Sequence, residues 1–422
     1  MFVDPYLIEQ HTRTSLQLHS PQRTEPSAQP GNPLEYGTVI RDGTLYRLYT
    51  REARGAEFDG DTPEITRYCE STDGIHWTHP NLGLVEIDGN KDNNVILNEP
   101  PFSHNFAPFL DRNPNTPPNQ RFKALAGTVK SGLVAFTSCD GIHWAKLATT
   151  PVIQYTKEYA FDSQNVSFWS EAEQRYVCYF RHFLNKKLRS VCRTHSADFI
   201  HWSEPIPLKP NLPDEHLYTT LTQPYFRAPH IYIATPTRFH PDRGESTDIL
   251  FMSARGEAPF DRTFRQAWIR PGLDPQRWGN RSNYAAWNIV QTSDTEMSIY
   301  TTPFQRFTMR LDGIASLHAD VDSGEMLTKP LRFTGANLEL NFSTSAGGSI
   351  RIEIQDAAGT PIPEFSLDNA IPLIGDSIAS IYSWKNAPSL ATLENKPIRL
   401  RFVMQDADIY SLRFHHSNEK PQ

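Results

Sequence analysis

Three acidic residues occupy similar places in the sequence, each just before a short run of β-forming residues. Glu35 precedes Tyr-Gly-Thr-Val-Ile, Asp162 precedes Ser-Gln-Asn-Val-Ser-Phe-Trp, and Glu215 precedes His-Leu-Tyr. Cleavage of a glycosidic bond needs such a set, because one carboxylic acid protonates the leaving oxygen while an ionised carboxylate attacks the anomeric carbon or activates water. A third can hold sugar hydroxyls or stabilise positive charge on the ring. These three residues are therefore the predicted catalytic residues.

Polar and aromatic residues near the same positions are predicted to bind the substrate. Aromatic faces stack on sugar rings, and amide, imidazole and guanidinium groups hydrogen-bond to hydroxyls. The predicted substrate-binding residues are His104, Asn105, Trp169, His216, Tyr218, Arg227, Tyr284 and Trp287. Each candidate also has a structural alternative. The two histidines could serve as structural hydrogen-bonding groups, Asp162 could cap a turn, and Glu35 and Glu215 could be solvated side chains.

A repeated turn sequence relates these positions to one another. The segments Ser71–Trp77, Ser138–Trp144 and Ser196–Trp202 share the pattern Ser-x-Asp-x-Ile-His-Trp, at separations of 67 and 58 residues. Such spacing suits a four-stranded β-unit with its loops. Ser and Asp side chains can bind nearby backbone N–H groups, Gly adopts the left-handed conformation, and Trp packs back on the sheet. The pattern predicts a recurring β-corner with a structural role.

Short aromatic and β-branched runs separated by turn residues continue to about Lys329. Together with two further units, Leu217 to Ser253 and Tyr284 to Leu311, the three corners predict five blades. The predicted fold is all-β, with a five-bladed β-propeller over residues 1–330, in which 1–34 lead in or wrap around. A small β-sandwich over 331–416 and a tail, 417–422, follow. In a propeller the first strand of each blade lines the channel, so the three acids are expected at one channel mouth.

The composition of the chain argues against several other classes of function. The chain is 38% hydrophobic and 21% charged, and no apolar run is long enough to cross a bilayer, so no membrane partner is expected. A net charge of −7 without a basic cluster argues against nucleic acid. No metal or cofactor is expected, because no H-E-x-x-H or equivalent ligand set occurs.

The N-terminal sequence lacks a basic region followed by an apolar one. The expected location is therefore cytoplasmic, or periplasmic or secreted if a leader has been removed. The expected partner is an oligo- or polysaccharide, and the oligomeric state is left open.

The predicted blades, the spacing of Asp162 and Glu215 by one blade and the trailing β-sandwich resemble the fructosidase-like enzymes of glycoside hydrolase family 32. Phe2-Val-Asp-Pro-Tyr-Leu-Ile, Pro33-Leu-Glu, His104-Asn-Phe and Asn283-Tyr-Ala-Ala-Trp look like a bacterial branch described as family-32-like. The resemblance implies a glycosidase, expected to retain configuration, that cleaves a furanoside or a related oligo- or polysaccharide.

The resemblance also implies a role for each acid. Glu35 would match the nucleophile, Asp162 the transition-state stabiliser and Glu215 the acid/base. The family's W-x-N-D-P-N-G signature is missing, Arg does not precede Asp162, and Cys does not follow Glu215.

Two alternatives remain open. A propeller can bind carbohydrate without cleaving it, because a fold alone does not decide function. The repeated corners are also similar to the Asp-boxes of sialidases. In such an enzyme Arg227, Arg255, Arg270 and Arg310 could form a carboxylate-binding cluster, and a compact basic pocket beside a buried tyrosine would favour this alternative.

Overall fold

The computed structural model describes residues 1–24, 34–57, 60, 62–279 and 282–416. In this part of the chain regular structure is almost entirely β, which confirms the predicted all-β class. Among the described residues no helix is long and apolar enough to cross a membrane. The helical segments are short 3-10 turns at Pro118–Gln120, Pro275–Trp278, Pro363–Phe365 and Leu390–Leu393.

The described strands are numbered in chain order. The first half comprises β1 (Ile8–Thr12), β2 (Thr14–Leu18), β3 (Gln22–Arg23), β4 (Glu35–Asp42), β5 (Leu45–Glu52), β6 (Ile65–Ser71), β7 (Val95–Leu97), β8 (Ala107–Leu110), β9 (Phe122–Thr128), β10 (Gly132–Ser138), β11 (Ala145–Lys146), β12 (Val166–Ser170), β13 (Arg175–Leu184), β14 (Leu188–Ser196) and β15 (Ile206–Pro207). The second half comprises β16 (His216–Leu217), β17 (Thr222–Tyr225), β18 (Ala228–Ala234), β19 (Thr237–His240), β20 (Ser246–Ile249), β21 (Met252–Ala254), β22 (Val290–Gln291), β23 (Glu296–Thr301), β24 (Gln305–Arg310), β25 (Ala315–Ala319), β26 (Gly324–Thr328), β27 (Asn337–Asp356), β28 (Asp376–Ile381) and β29 (Ile398–His415).

The chain divides into two compact units. One is Pro21–Thr308, and the other combines Met1–Ser20 with the chain from Met309 onward. The predicted boundary lay at residue 330, but β25 and β26 precede that position and pair with β29 of the second unit. The predicted tail, 417–422, lies outside the described residues.

In the unit formed by residues 21–308, three antiparallel sheets follow one another along the chain. Their strand orders are β4-β5-β6-β7, β11-β10-β9-β8 and β12-β13-β14-β15. Residues 216–254 then form a three-stranded meander that is interrupted half way along. Its two halves are the sheets β16-β19-β20 and β17-β18-β21, because the strands break at 235–236 and 250–251.

The last sheet of this unit, β22-β23-β24, takes its fourth strand from the start of the chain. Strand β3 pairs with β24, with Arg23 opposite Phe307 and Gln22 opposite Thr308. A strand of two polar residues shows no hydrophobic periodicity, so the sequence predicted only that this segment leads into the propeller or wraps around it.

The first strands of successive sheets lie beside one another. Strand β8 neighbours β4 and β12, and β12 neighbours β17. Trp287 N donates to Gly37 O at 2.8 Å, and Trp287 Nε1 donates to Thr222 O at 3.0 Å. Gln164 Nε2 also donates to Gly37 O, at 2.9 Å. These contacts gather the starts of the first strands, where the predicted site residues lie.

The repeated corners form the same hydrogen-bond network three times. At the second corner, Ser138 Oγ accepts from Gly141 N at 2.9 Å, and Asp140 Oδ1 accepts from the backbone N of Ile142 and of His143, each at 2.9 Å. His143 Nδ1 lies 2.7 Å from Asp140 Oδ2. Tyr49 of the preceding sheet donates to Gly141 O at 2.9 Å, so the corner also joins two sheets.

The second unit contains one connected sheet with the path β1-β26-β29-β25-β2, and β27 pairs with both β28 and β29. Strand β29 alternates buried and more exposed side chains over residues 398–404, as a sheet with one core face requires, whereas β27 buries both faces over residues 338–342. The core includes Leu338, Leu340, Ile352, Leu400 and Phe402. The predicted strands beginning at Leu338 and Ser349 are one long strand, β27.

Replacing Asp140 by Ala tests the corner. Burial opposes ionisation, but the hydrogen bonds from His143 and Ile142 outweigh it and hold the pKa of Asp140 well below its ordinary value. By analogy with helix N-caps, the loss of these bonds should cost about 0.5–2 kcal/mol of folding free energy at pH 7. A lowered folded-state pKa gives stability above the ordinary value of about 3.9, and that stability is lost as the pH falls towards the folded-state pKa.

Thermal unfolding midpoints of wild type, Asp140→Ala and the exposed control Asp294→Ala should be compared at pH 7 and pH 3. The difference between wild type and Asp140→Ala is expected to shrink at pH 3, while the control matches wild type at pH 7. A difference that stays constant across this range would rule out an ionised Asp140 as the stabilising group.

Candidate functional site

A buried aromatic cluster lies where the first strands begin. It consists of Tyr36, Tyr218, Phe239 and Tyr284. The ring of Tyr284 lies 5.6 Å from that of Tyr36 and 5.3 Å from that of Tyr218, centroid to centroid. Burial raises the pKa of Tyr36 well above its ordinary value, and Tyr284 and Tyr218 add to the effect. Tyr36 therefore presents a neutral phenol.

On one side of this cluster, Asp162 is paired with a buried arginine. Arg181, on β13, donates through Nη2 to Asp162 Oδ2, and its guanidinium lies 4.6 Å from the ring centre of Tyr218. The Arg181 side chain is fully buried, whereas the Asp162 side chain is 21% exposed. The carboxylate can be reached from solvent, and the cation that balances its charge cannot.

A second arginine approaches the same tyrosine from the next strand. Arg189, on β14, lies opposite Phe183 in the β13–β14 pair, so Arg181, Phe183 and Arg189 point to one face of the hairpin. The Arg189 guanidinium lies 4.7 Å from the ring centre of Tyr218 and 5.2 Å from that of Phe183. Burial and the neighbouring charge of Arg181 lower the pKa of Arg189 from its ordinary value.

On the other side of the cluster, Glu35 faces Arg51 across the β4–β5 pair. Arg51 Nη2 lies 3.2 Å from Glu35 Oε2, and Arg51 Nη1 lies 3.6 Å from Glu64 Oε1. Glu64 Oε2 in turn lies 2.9 Å from His104 Nδ1. The guanidinium of Arg51 stacks on Tyr36, 4.6 Å from its ring centre. One cation is thus shared by two carboxylates.

The two sides of the tyrosine cluster differ in their charge balance. Around Arg51 there are two carboxylates for one guanidinium, with His104 as a further titratable group. Around Asp162 there are two guanidiniums, and among the described residues Arg189 has no carboxylate within ion-pair distance. Among the described residues, carboxylates thus outnumber guanidiniums around Arg51, and guanidiniums outnumber carboxylates around Asp162.

Several predicted residues meet at this cluster. Tyr218 and Tyr284 belong to it, Glu35 and Asp162 flank it, and the Nδ1 atom of His216 lies 3.5 Å from Arg189 Nη1. His104 and Asn105 join it through Arg51, since Arg51 Nη1 donates to Asn105 Oδ1 at 3.4 Å. This set occupies one region of the unit.

Other predicted binding residues have different surroundings. Trp169 is buried and packs edge-on against Tyr176 at a centroid distance of 5.0 Å. Trp287 is fully buried, where its Nε1 donates to a backbone carbonyl. Arg227 lies in the turn between β17 and β18. Arg310, from the sialidase alternative, belongs to the other compact unit and binds Asn341 Oδ1 at 2.7 Å.

Glu215 is engaged by a different arginine. Its two carboxylate oxygens accept from Arg262 at 2.8 and 3.0 Å, and Leu212 N donates to Oε2 at 3.0 Å. Its side chain is only 4% exposed. The next residue, His216, begins β16 and approaches Arg189 instead. This geometry favours a structural role for Glu215, and its role as acid/base stays a prediction.

Residues that complete the cluster were missed from the sequence, above all Arg51, Arg181 and Arg189, together with Tyr36 and Glu64. The sequence itself could have indicated one of these residues, Arg181. Arg181 lies between Phe180 and His182 in an otherwise apolar run, where a charged side chain must be buried with a partner. An arginine was sought directly before Asp162, whereas the structure supplies it from the neighbouring strand.

A groove lies next to Phe183. It is a cavity of about 580 Å³ lined by Thr156, Lys157, Glu158, Tyr159, Phe183 and Lys186. The ring of Tyr159 is 46% exposed and lies 5.9 Å from the ring of Phe183. No group of three or more His, Cys, Asp or Glu side chains placed to hold a metal ion is found in the described ranges.

Sequence comparison gives limited matches. No known protein-family profile matches the chain. An uncharacterized protein of Mycobacterium tuberculosis strain H37Rv is 25% identical over 150 residues, which are 35% of this chain and 46% of that protein. An uncharacterized protein of the CDC 1551 strain matches to the same extent. The matched stretch thus spans less than half the length of these curated relatives.

Solved structures of glycoside hydrolases are similar to the chain. One described as a glycoside hydrolase is 12% identical, covers 70% of this chain and 93% of its own, and has a TM-score of 0.48. A fructofuranosidase from Schwanniomyces occidentalis, complexed with fructosylnystose, is 10% identical over 94% and 96% of the two chains, with a TM-score of 0.42. An exo-inulinase from Aspergillus awamori is 13% identical over 94% and 97%, with a TM-score of 0.42. Identity and TM-score are too low for these similarities to indicate an activity.

Substitutions at Glu215 and Arg262 separate a structural from a catalytic role. Removing one partner of a buried ion pair leaves an uncompensated charge, which costs about 3–5 kcal/mol of folding free energy. Glu215→Gln and Arg262→Gln should therefore lower the thermal midpoint by similar amounts, and the double variant by less than their sum. An unchanged midpoint in Glu215→Gln, together with a large loss of kcat, would instead support the acid/base role.

Proposed function

We propose that this protein is a glycoside hydrolase that uses Asp162 and Glu35 to cleave an oligo- or polysaccharide. The observation that carries the proposal is a pair of reachable carboxylates on either side of a buried tyrosine cluster. The side chains of Glu35 and Asp162 are 25% and 21% exposed, while their partners Arg51 and Arg181 are 4% and 0% exposed. Paired carboxylates in distinct environments are the requirement for glycoside hydrolysis.

We further propose that residues 21–308 form a five-bladed propeller. Five successive antiparallel units support this assignment, if residues 216–254 count as one interrupted blade and β3 completes the last. The contacts between neighbouring first strands are those that a ring of blades requires. The sheet of the second unit, with its long strands β27 and β29, is proposed to form the predicted β-sandwich.

Asp162 is proposed to act at the anomeric carbon. Its charge is balanced by Arg181, which is fully buried and fixed against Tyr218. A carboxylate held in this way is pre-oriented, and either attack on the anomeric carbon or stabilisation of its positive charge needs little reorganisation. The resemblance to family 32 suggests stabilisation, and the pairing with a single buried arginine is compatible with both roles.

Glu35 is proposed to donate the proton to the leaving oxygen. Arg51 is shared by Glu35 and Glu64, so the two carboxylates have one guanidinium between them. Of the groups around Arg51, the side chains of Glu64 and His104 are only 3% and 0% exposed. Glu35 is the one that a substrate can reach. This assignment replaces the nucleophile role that the resemblance implies for Glu35.

The proposed reaction proceeds in two steps. In the first, the bond between the anomeric carbon and the leaving oxygen breaks, Glu35 gives its proton to that oxygen, and Asp162 stabilises or bonds to the anomeric carbon. In the second, Glu35 takes a proton from a water whose oxygen bonds to the same carbon, and any covalent bond between that carbon and Asp162 breaks, which returns Asp162 as a free carboxylate. If Asp162 bonds covalently, configuration is retained. If Asp162 only stabilises the positive charge, retention of configuration stays a prediction from the family resemblance.

The groove beside Phe183 supports a substrate of more than one sugar. Tyr159 offers an exposed aromatic face there, and Phe183 connects the groove to the arginines near Asp162. An aromatic platform next to the reacting centre can bind a further sugar ring by stacking. Binding without cleavage, the alternative left open by the sequence, would use the same groove but would not depend on the two carboxylates.

The test is hydrolysis of a panel of aryl α- and β-furanosides and pyranosides by wild type, Asp162→Asn and Glu35→Gln. Loss of a positioned acid or base costs about 10²- to 10⁴-fold. We expect both variants to lose at least 100-fold in kcat with unchanged far-UV circular dichroism. The exposed substitution Asp294→Asn is the control and should hydrolyse the panel like wild type.

Hydrolysis that survives in both variants would refute the assignment of these carboxylates. Sugar binding by wild type, without hydrolysis of any member of the panel or of oligosaccharides, would support the binding-only alternative.

A further inference from the structure

The second cation beside Asp162, Arg189, has no carboxylate at ion-pair distance among the described residues. Arg181 and Arg189 both lie against Tyr218, at 4.6 and 4.7 Å from its ring centre, and Asp162 pairs with Arg181. Two guanidiniums this close repel each other, and partial burial strengthens the repulsion. Such an arrangement is costly unless a negative group completes it.

The hydrogen-bonding capacity of the two arginines is also only partly used. Within the described residues, Arg181 Nε and Nη1 and Arg189 Nε are buried and have no hydrogen-bond partner. A buried donor without a partner costs free energy, so native proteins rarely leave several together. Among the described residues, the guanidinium of Arg189 contacts His216, whose Nδ1 lies 3.5 Å from both the backbone N and Nη1 of Arg189.

Arg189 is nevertheless fixed in place. Its guanidinium lies 4.7 Å from the ring centre of Tyr218, 4.8 Å from that of Phe239 and 5.2 Å from that of Phe183. Stacking on aromatic faces could by itself explain one buried arginine. Stacking does not explain why a second guanidinium lies against the same tyrosine or why the Nε donor of Arg189 has no partner among the described residues. A guanidinium held in a fixed orientation is suited to bind an oxyanion.

The groove next to this pair points to the source of the oxyanion. Phe183 contacts both arginines and lines the groove, where Lys186 adds another positive charge. Arg181 is fully buried, so a ligand would meet Arg189 first, with the charge of Arg181 behind it. A group on a sugar bound between the groove and Asp162 would lie in this position.

We propose that Arg189, supported by Arg181, binds an oxyanion carried by the substrate, so that the sugar at the cleavage site bears a carboxylate. This inference rests on the proposed function, because it places the acidic sugar at Asp162. It adds the substrate class, a uronate-type glycoside, to the chemistry of the two carboxylates.

Binding, measured without catalysis, tests the inference. Isothermal titration in buffer of low ionic strength should compare glucuronate, galacturonate and mannuronate with glucose, galactose and mannose. Charge-assisted hydrogen bonds to a guanidinium correspond to about 10- to 100-fold in affinity. At least one uronate is expected to bind wild type at least 10-fold more tightly than its neutral counterpart.

Variants identify the group responsible. Arg189→Met keeps a long apolar side chain against the aromatic rings but removes the charge, and it should abolish the preference for the uronate. Arg189→Lys should keep part of it, and Arg112→Met, an exposed arginine of the same unit, should leave it unchanged. Thermal midpoints of all variants verify that they are folded. If no uronate is preferred by wild type, or the preference survives in Arg189→Met, the inference is overturned.

Inorganic sulfate and phosphate distinguish a free anion from one carried by the sugar. If either binds wild type through Arg189 while no uronate is preferred over its neutral sugar, the oxyanion is a separate ligand and the proposed substrate class is wrong. A failure of this inference can be distinguished from a failure of the proposed function. If neutral glycosides are hydrolysed and this depends on Asp162, the glycosidase proposal stands even when the uronate inference fails. If a uronate binds through Arg189 but no glycoside is hydrolysed, the oxyanion site stands and the glycosidase proposal fails.

Discussion

The ion pair between Arg181 and Asp162 is the constraint on which the rest of the site depends. A fully buried guanidinium is tolerated only where a carboxylate and aromatic faces compensate for its lost hydration. Arg181 has both, in Asp162 and Tyr218. The backbone is built around this pair, because Phe161 N donates to Arg181 O at 3.2 Å and Phe161 adopts a left-handed conformation with φ of 67°. The turn before β12 is thereby held against β13, and Asp162 is presented towards the tyrosine cluster.

Among the described residues, the charged groups around the tyrosine cluster are unevenly distributed. Towards Arg51, two carboxylates share one cation, and towards Asp162, two cations face one carboxylate. A reaction that needs a proton donor on one side of a bond and an ionised group on the other is served by this asymmetry. The same asymmetry makes an acidic sugar a better match than a neutral one, because its carboxylate would complete the incomplete side. The proposed chemistry and the proposed substrate class therefore rest on one charge distribution.

Much of the architecture could be predicted from local sequence patterns. The corners are encoded within seven residues each, and their hydrogen bonds follow from the Ser and Asp side chains that the pattern contains. Strand-like runs placed Glu35 and Asp162 at the starts of first strands. The partners Arg51 and Arg181 were not predictable in this way, because they come from the second strand of each sheet and their pairing depends on register. Glu215 shows the same limit, since its carboxylate pairs with Arg262 while the next residue, His216, approaches Arg189, and both contacts are to distant parts of the chain. Strand β3 is too short for any period to reveal it.

A crystal structure of the Asp162→Asn variant with a bound uronate oligosaccharide tests the central claim most directly. The account predicts a sugar carboxylate within about 3.2 Å of the Arg189 guanidinium. It also predicts that the adjacent anomeric carbon lies next to residue 162, with the leaving oxygen on the side of Glu35. A sugar bound next to Glu215 and Arg262, or one whose carboxylate points away from Arg189 into solvent, would contradict it.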